Sequence, residues 1–291
     1  MSETVAIASG GLAARIAPLG AELRSLSDAA GREYMSDGNP AFWPNHAPLL
    51  FPIVGALAND TYRLGGEEHG LSRHGFARRS FFELAEHAPD RALFRLTDSK
   101  ATQRAYPFAF VLEMGFALDG MVLSMEARVR NPGDVPLPFS FGYHPAFAWP
   151  LPGGGDKLGH YLEFECEEPQ EIRRLDENGL IAFEELSPLE GRVLKLDPRL
   201  FDEDAMIWDR LESRGLSYVS PGGTRLEVDF PDTPMLGIWQ KPGANFICIE
   251  PWAGHADPAG FAGDFREKPG IMELAPGEAR SFRMDVAVQP V

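Results

Sequence analysis

Four segments of this 291-residue chain carry side chains suited to chemistry. Arg73-His74-Gly75-Phe76-Ala77-Arg78-Arg79 gathers arginines and a histidine around a glycine and a phenylalanine. Each guanidinium offers a fork of five donors, fit for sugar hydroxyls or for an anion. A basic loop facing water is the plainer account. Phe139-Ser140-Phe141-Gly142-Tyr143-His144-Pro145-Ala146-Phe147 sets His144 among aromatic rings. Such rings stack on the C–H faces of a sugar while a titratable group meets its oxygens; the alternative is a satisfied core histidine. In Phe246-Ile247-Cys248-Ile249-Glu250-Pro251-Trp252 an apolar run ends at an acid. Burying that carboxylate is costly unless it is paired or functional. Desolvation would raise its pKa toward the range of a general base, whereas a strand-end Glu reaching water would have no role. In residues 200–207, Asp202 and Glu203 read as solvated, and Asp204, bordering Ala205-Met206-Ile207, is the acid expected to point inward.

The elements that must position these groups read as strands. Leu112, Met114, Phe116 and Leu118 alternate, Asp119-Gly120 supplies a tight turn, and Leu123, Met125, Ala127 and Val129 alternate on the return. That pattern predicts a hairpin. Further strands are expected at 5–7, 13–16, 81–86, 92–96, 161–164, 193–196, 226–230, 246–249 and 281–286, and short helical turns at 100–106 and 198–204. Pro145 should stop pairing, placing His144 at a strand end on the sandwich edge. Turn residues are dense, with 30 Gly and 25 Pro, and no helical stripe runs over four turns. So many strands with almost no crossover helices imply antiparallel pairing. They would overfill one open sheet, and a large two-sheet antiparallel β-sandwich accommodates them. No composition break marks a linker, so residues 1–291 read as a single domain, with 150–156 as a surface loop.

Composition narrows the function. Lys and Arg number 27 against 43 Asp and Glu, a net charge of −16, which argues against nucleic acid and against an anionic membrane surface. The two cysteines, Cys166 and Cys248, are too few for a disulfide framework or a zinc cluster. Both sit among apolar or β-forming neighbours and are expected to be buried free thiols. No stretch reaches the roughly 20 apolar residues of a membrane span, and the N-terminus has no signal-peptide pattern, so a cytoplasmic location is expected. His46, His69, His74 and His87 lack metal-ligand spacing, which disfavours a metal-dependent hydrolase.

Taken together, FPIVGALANDTYRLGG, LSRHGFARRSFFEL, FSFGYHPAF, LFDEDAMIW and NFICIEPWAGHAD resemble the aldose 1-epimerase (galactose mutarotase-like) superfamily, in particular its branch of LacX-type proteins. The resemblance runs from about Ile16 to Val288. It implies a β-supersandwich that interconverts the α and β anomers of a free aldose. By the same resemblance His144 is the general acid and Glu250 the general base, while His74 and Asp204 bind the sugar. One departure stands out. The galactose mutarotase branch has a sugar-binding Arg where this chain reads Asn59-Asp60-Thr61, and the LacX-like branch often has Arg where Ala56 stands. Arg78 is the residue expected to supply that charge.

Anomerisation needs one group to protonate the ring oxygen and another to take the proton from the C1 hydroxyl. An imidazole of ordinary pKa about 6.5 and a carboxylate suffice. No metal, nucleotide or redox cofactor is expected; the partner is a small sugar, and the chain is a monomer or homodimer. A non-catalytic carbohydrate-binding sandwich would not need both His144 and Glu250. A sugar-phosphate mutarotase would set Arg73, Arg78 and Arg79 against the phosphate.

Overall fold

Alternating apolar residues build the expected strands. Leu112, Met114, Phe116 and Leu118 bury one face of Val111–Asp119, and Leu123, Met125, Ala127 and Val129 bury one face of Val122–Arg130. Asp119 pairs with Val122, so the tight turn is Gly120-Met121, one residue later than Asp119-Gly120. Of these two only Gly120 takes a positive φ, 56°, as a type II′ turn requires. The helical content of the computed structural model, which describes residues 4–291, is one α-helical turn at Thr102–Ala105 and four 3-10 turns, including Pro198–Phe201.

Two large antiparallel sheets dominate. The first has nine strands in the order Val193–Lys195, Tyr161–Phe164, Gly215–Val219, Arg225–Asp229, Ala279–Gln289, Val122–Arg130, Val111–Asp119, Arg91–Thr97 and Glu83–Ala88. The second runs Ile181–Glu185, Ile172–Leu175, Met206–Trp208, Met235–Trp239, Phe246–Ala253, Phe141–Tyr143 and Leu49–Leu50, with Ala146–Ala148 also paired to Phe246–Ala253. Phe141 of the second sheet stacks on Phe282 of the first at 4.9 Å. The Tyr143 hydroxyl crosses the same gap: it donates to Phe282 O at 2.7 Å and accepts from Ala127 N. The two sheets thus enclose a common core, as in a β-sandwich.

Strand alternation decides which residues leave that core. On Phe246–Ala253 the side chains of Ile247, Ile249 and Ala253 enter it, while Phe246, Cys248 and Trp252 fall into separate clusters on the other face. Met206, Trp208, Leu236 and Ile238 point inward, leaving Ile207, Met235 and Trp239 outward. Loops cover this outer face, so Phe246–Ala253 is buried along its whole length. A strand buried on both faces reads as a continuous apolar run, which accounts for the single carboxylate inside it.

Candidate active site

Glu250 lies within its strand rather than at the end, since pairing with Met235–Trp239 continues through Pro251, opposite Leu236, to Trp252, opposite Met235. The strand tolerates Pro251 because the partner on its other side is broken. Phe141–Tyr143 pairs with Trp252 and Ala253, Ala146–Ala148 pairs with Phe246 to Cys248, and the gap between holds His144 and Pro145. The Ile249 N–H donates into that gap, to Pro145 O, so the missing N–H of Pro251 faces the same break. His144 therefore sits at an interruption inside the sheet, beside Glu250, and not on the sandwich edge.

Tyr143, tied across the core, forces the next residue to the outer face. There His144 Nε2 lies 3.2 Å from Glu250 Oε2. The contact is misaligned as a hydrogen bond, and both Glu250 Oε2 and His144 Nδ1 are buried without a partner among the described residues. The imidazole stacks on Trp43 at 4.9 Å and meets the edge of Trp239 at 5.9 Å. Burial, the main cause, lowers the pKa of His144 to about 3, and Arg78 and Arg73 push the same way. Burial likewise raises the Glu250 carboxyl well above its ordinary value, against the pull of Arg73 and with the charge of Asp204 adding to the rise. An imidazole of near-neutral pKa is thus replaced by a pair in which both partners favour their uncharged forms.

His74 is held by backbone. It takes φ 65°, its N–H donates to Gly55 O, and its Nδ1 accepts from Gly55 N at 3.1 Å. Since Nδ1 accepts, the ring proton is on Nε2. Burial first, then His144, Arg73 and Arg78, lowers its pKa well below the ordinary value. The ring meets that of His144 edge-on at 5.7 Å. Arg78 donates from Nη2 to Arg73 O at 2.9 Å, its Nε has no partner among the described residues, and burial together with Arg79 and Arg73 lowers its pKa to about 10. Asp204 adopts φ 64° after the Pro198–Phe201 turn and is half-buried, while Asp202 and Glu203 are exposed. Its Oδ1 accepts from Ala205 N.

These five side chains border one cavity of about 340 Å³, at the small end of ligand pockets. Among the other residues that line it are Trp43, Arg73, Trp239, Lys241 and Trp252. Arg73 was weighed in the sequence only as a phosphate ligand, and nothing in the local pattern of the others marks them. A Cβ on Gly179 would meet Arg73 Nη1 at 3.2 Å and Ala56 Cβ at 3.5 Å, so that guanidinium lies beside Ala56. The Trp252 indole spreads over both neighbouring strands at glycines: a Cβ on Gly142 would meet its Cδ1 at 2.5 Å, and one on Gly237 its Cη2 at 2.6 Å. A larger depression of about 620 Å³ lies over the nine-stranded sheet. Charged residues there pair with each other, as in Arg192–Glu163 and Arg283–Asp285, and no histidine lines it. Of the two thiols only Cys248 is buried; Cys166, just past the end of Tyr161–Phe164, is exposed because strand alternation has ended there.

The family model for aldose 1-epimerase matches residues 3–284. The chain belongs to the aldose 1-epimerase family. Protein LacX of Lactococcus lactis subsp. lactis (plasmid form) is 32% identical over 281 residues, covering 93% of this chain and 94% of that protein. A galactose mutarotase related enzyme from Lactobacillus acidophilus has a TM-score of 0.92 at 30% identity, over 99% of this chain and 98% of its own. A galactose mutarotase-like protein from Lactobacillus casei has a TM-score of 0.90 at 31% identity, over 99% and 100%. No helix among the described residues is long and apolar enough to cross a membrane.

Proposed function

We propose that this member of the family is an aldose 1-epimerase, with His144 as general acid and Glu250 as general base on a free sugar. The observation that carries the reading is the juxtaposition of His144 Nε2 and Glu250 Oε2, 3.2 Å apart in a cavity fit for one sugar ring. His144 gives a proton to the ring oxygen, Glu250 takes the proton of the C1 hydroxyl, the C1–O bond breaks and C1 becomes an aldehyde. After rotation about C1–C2 the transfers reverse: Glu250 returns its proton to the carbonyl oxygen and His144 recovers one from the freed hydroxyl. No proton is consumed, so a pair sharing one proton is sufficient. The shared proton must sit on His144 before opening, with Glu250 ionised. The 3.2 Å separation lets the proton pass between the two groups.

The remaining groups orient the sugar. His74 offers an Nε2–H donor and stays neutral, Asp204 accepts hydroxyl protons, and Arg78 donates from its unpartnered guanidinium edge. Trp43, Trp239 and Trp252 supply faces for C–H stacking. Arg73, beside Ala56, stands in for the guanidinium that the LacX-like branch carries at that position. A second reading rests on the cations. Arg73, Arg78 and Lys241 all border the cavity, enough positive charge to hold a sugar phosphate. Polarimetry of fresh α-anomers, with and without phosphate at C6, tests both. Accelerated decay of rotation toward equilibrium is the expected result. Decay at the uncatalysed rate for every sugar would leave a carbohydrate-binding sandwich instead.

A further inference from the structure

Behind the cavity wall, packed with Ala146, Ala244 and Phe246, lies a side chain that the acid–base chemistry does not use. Cys248 is a free, fully buried thiol. It stands two residues before Glu250 on the same strand, so both side chains leave the same face. His144 reaches them from the neighbouring segment. One ligand atom from each residue, Sγ, an imidazole nitrogen and a carboxylate oxygen, lie within 4.8 Å of one another. Glu250 Oε2 and His144 Nδ1 have no hydrogen-bond partner among the described residues. Trp43 covers the flat face of the imidazole and leaves the ring-plane directions of its nitrogens uncovered by that indole.

We propose that His144, Cys248 and Glu250 form a binding site for a thiophilic divalent cation of the Zn²⁺ class, and that its occupation shuts off the sugar chemistry. The site itself stands on geometry; the shut-off rests on the mutarotase reading. A tetrahedral Zn²⁺ holds S, N and O ligands at about 2.0–2.3 Å, which puts them about 3.5 Å from each other. The three atoms, within 4.8 Å of one another, must draw closer by side-chain adjustment to reach that spacing. The fourth position faces the cavity and takes a water or a sugar hydroxyl. On binding, the Cys248 thiol releases its proton to solvent, as does Glu250 where it carries one, so affinity rises with pH. Thiolate and imidazole together select Zn²⁺ or Cd²⁺ over Mg²⁺ and Ca²⁺. With both catalytic groups coordinated, neither can give or take the sugar's protons.

The test uses the full chain, freed of metal by EDTA and dialysed, in a Cys166→Ser background so that Cys248 is the sole thiol. Titration with Co²⁺ should raise a near-ultraviolet thiolate-to-cobalt charge-transfer band that Zn²⁺ displaces and that grows with pH. The band should vanish in Cys248→Ala and in Cys248→Ser. In polarimetry, micromolar Zn²⁺ should slow the parent, EDTA should restore it, and Cys248→Ala should keep the basal rate while losing zinc sensitivity about tenfold or more. No band in the parent, or a band that persists in both Cys248 variants, overturns the site. A band with undiminished mutarotation under saturating Zn²⁺ overturns the shut-off. A band in a protein that accelerates no anomerisation upholds the cation site and removes the mutarotase reading instead.

Discussion

Acid should destabilise the protein through His144, by an amount the structure allows to be worked out. The perturbation is a drop from pH 7 to pH 5, compared between wild type and His144→Asn. In the folded chain burial holds the imidazole to a pKa of about 3. In the unfolded chain it titrates at about 6.5. Below that value the unfolded state binds a proton that the folded state does not, so stability falls as pH falls, from about 6.5 down to the folded value. At pH 5 the unfolded imidazole is almost wholly protonated and the folded one almost wholly neutral, which costs about 2 kcal/mol; at pH 7 the same difference costs about 0.2 kcal/mol. Glu250, whose folded pKa is raised, acts in the opposite sense above about 4.3 and does so in both proteins. Urea unfolding followed by tryptophan fluorescence should therefore show wild type losing about 2 kcal/mol more than His144→Asn between the two pH values. An imidazolium–carboxylate ion pair in the free cavity would hold the folded His144 pKa above 6.5 and reverse the sign. Equal losses, or a larger loss in the variant, would refute the neutral pair.

Other consequences follow from particular contacts. Gly237→Ala puts a methyl about 2.6 Å from the Trp252 ring; overpacking of this kind costs about 1–3 kcal/mol, read by thermal or urea unfolding, with KM rising as the indole shifts into the cavity. Arg73→Ala and Arg78→Ala should each raise KM by about 10–100-fold, the loss of one charged hydrogen bond worth about 1.5–3 kcal/mol, with a smaller change in kcat. A thiol reagent should modify Cys166 in the native protein and Cys248 only after denaturation, as followed by mass spectrometry.

Local pattern was enough for most of the strands, because alternation on a half-buried surface is written residue by residue. The hairpin at Val111–Arg130 is the clearest case, and even there the turn lay one residue later than the Asp-Gly pair suggested. Local pattern was not enough at Glu250. Pro251 argues for a strand end, and only the interruption of the partner strand at His144, a tertiary fact, lets pairing continue. The histidines and acids of the site could be found because polar residues inside aromatic or apolar runs are anomalous. Trp43 and Trp239 could not, since a tryptophan in an apolar setting looks the same whether it fills a core or stacks on a ligand. The pKa of His144 was also out of reach. An imidazole near 6.5 is the expectation for a solvated ring, and the fall to about 3 comes from burial beneath Trp43 and beside two arginines.

Polarimetry of Glu250→Gln and His144→Asn on the sugar that wild type anomerises fastest tests the catalytic pair most directly. Each exchange nearly keeps shape and hydrogen-bonding capacity while removing the proton transfer. The expected result, after subtraction of buffer-catalysed anomerisation near pH 7, is a fall of about 10²-fold or more in kcat for each, with sugar affinity by calorimetry little changed. Wild-type rates in both variants would contradict the account and leave the cavity as a sugar-binding site without an acid–base pair.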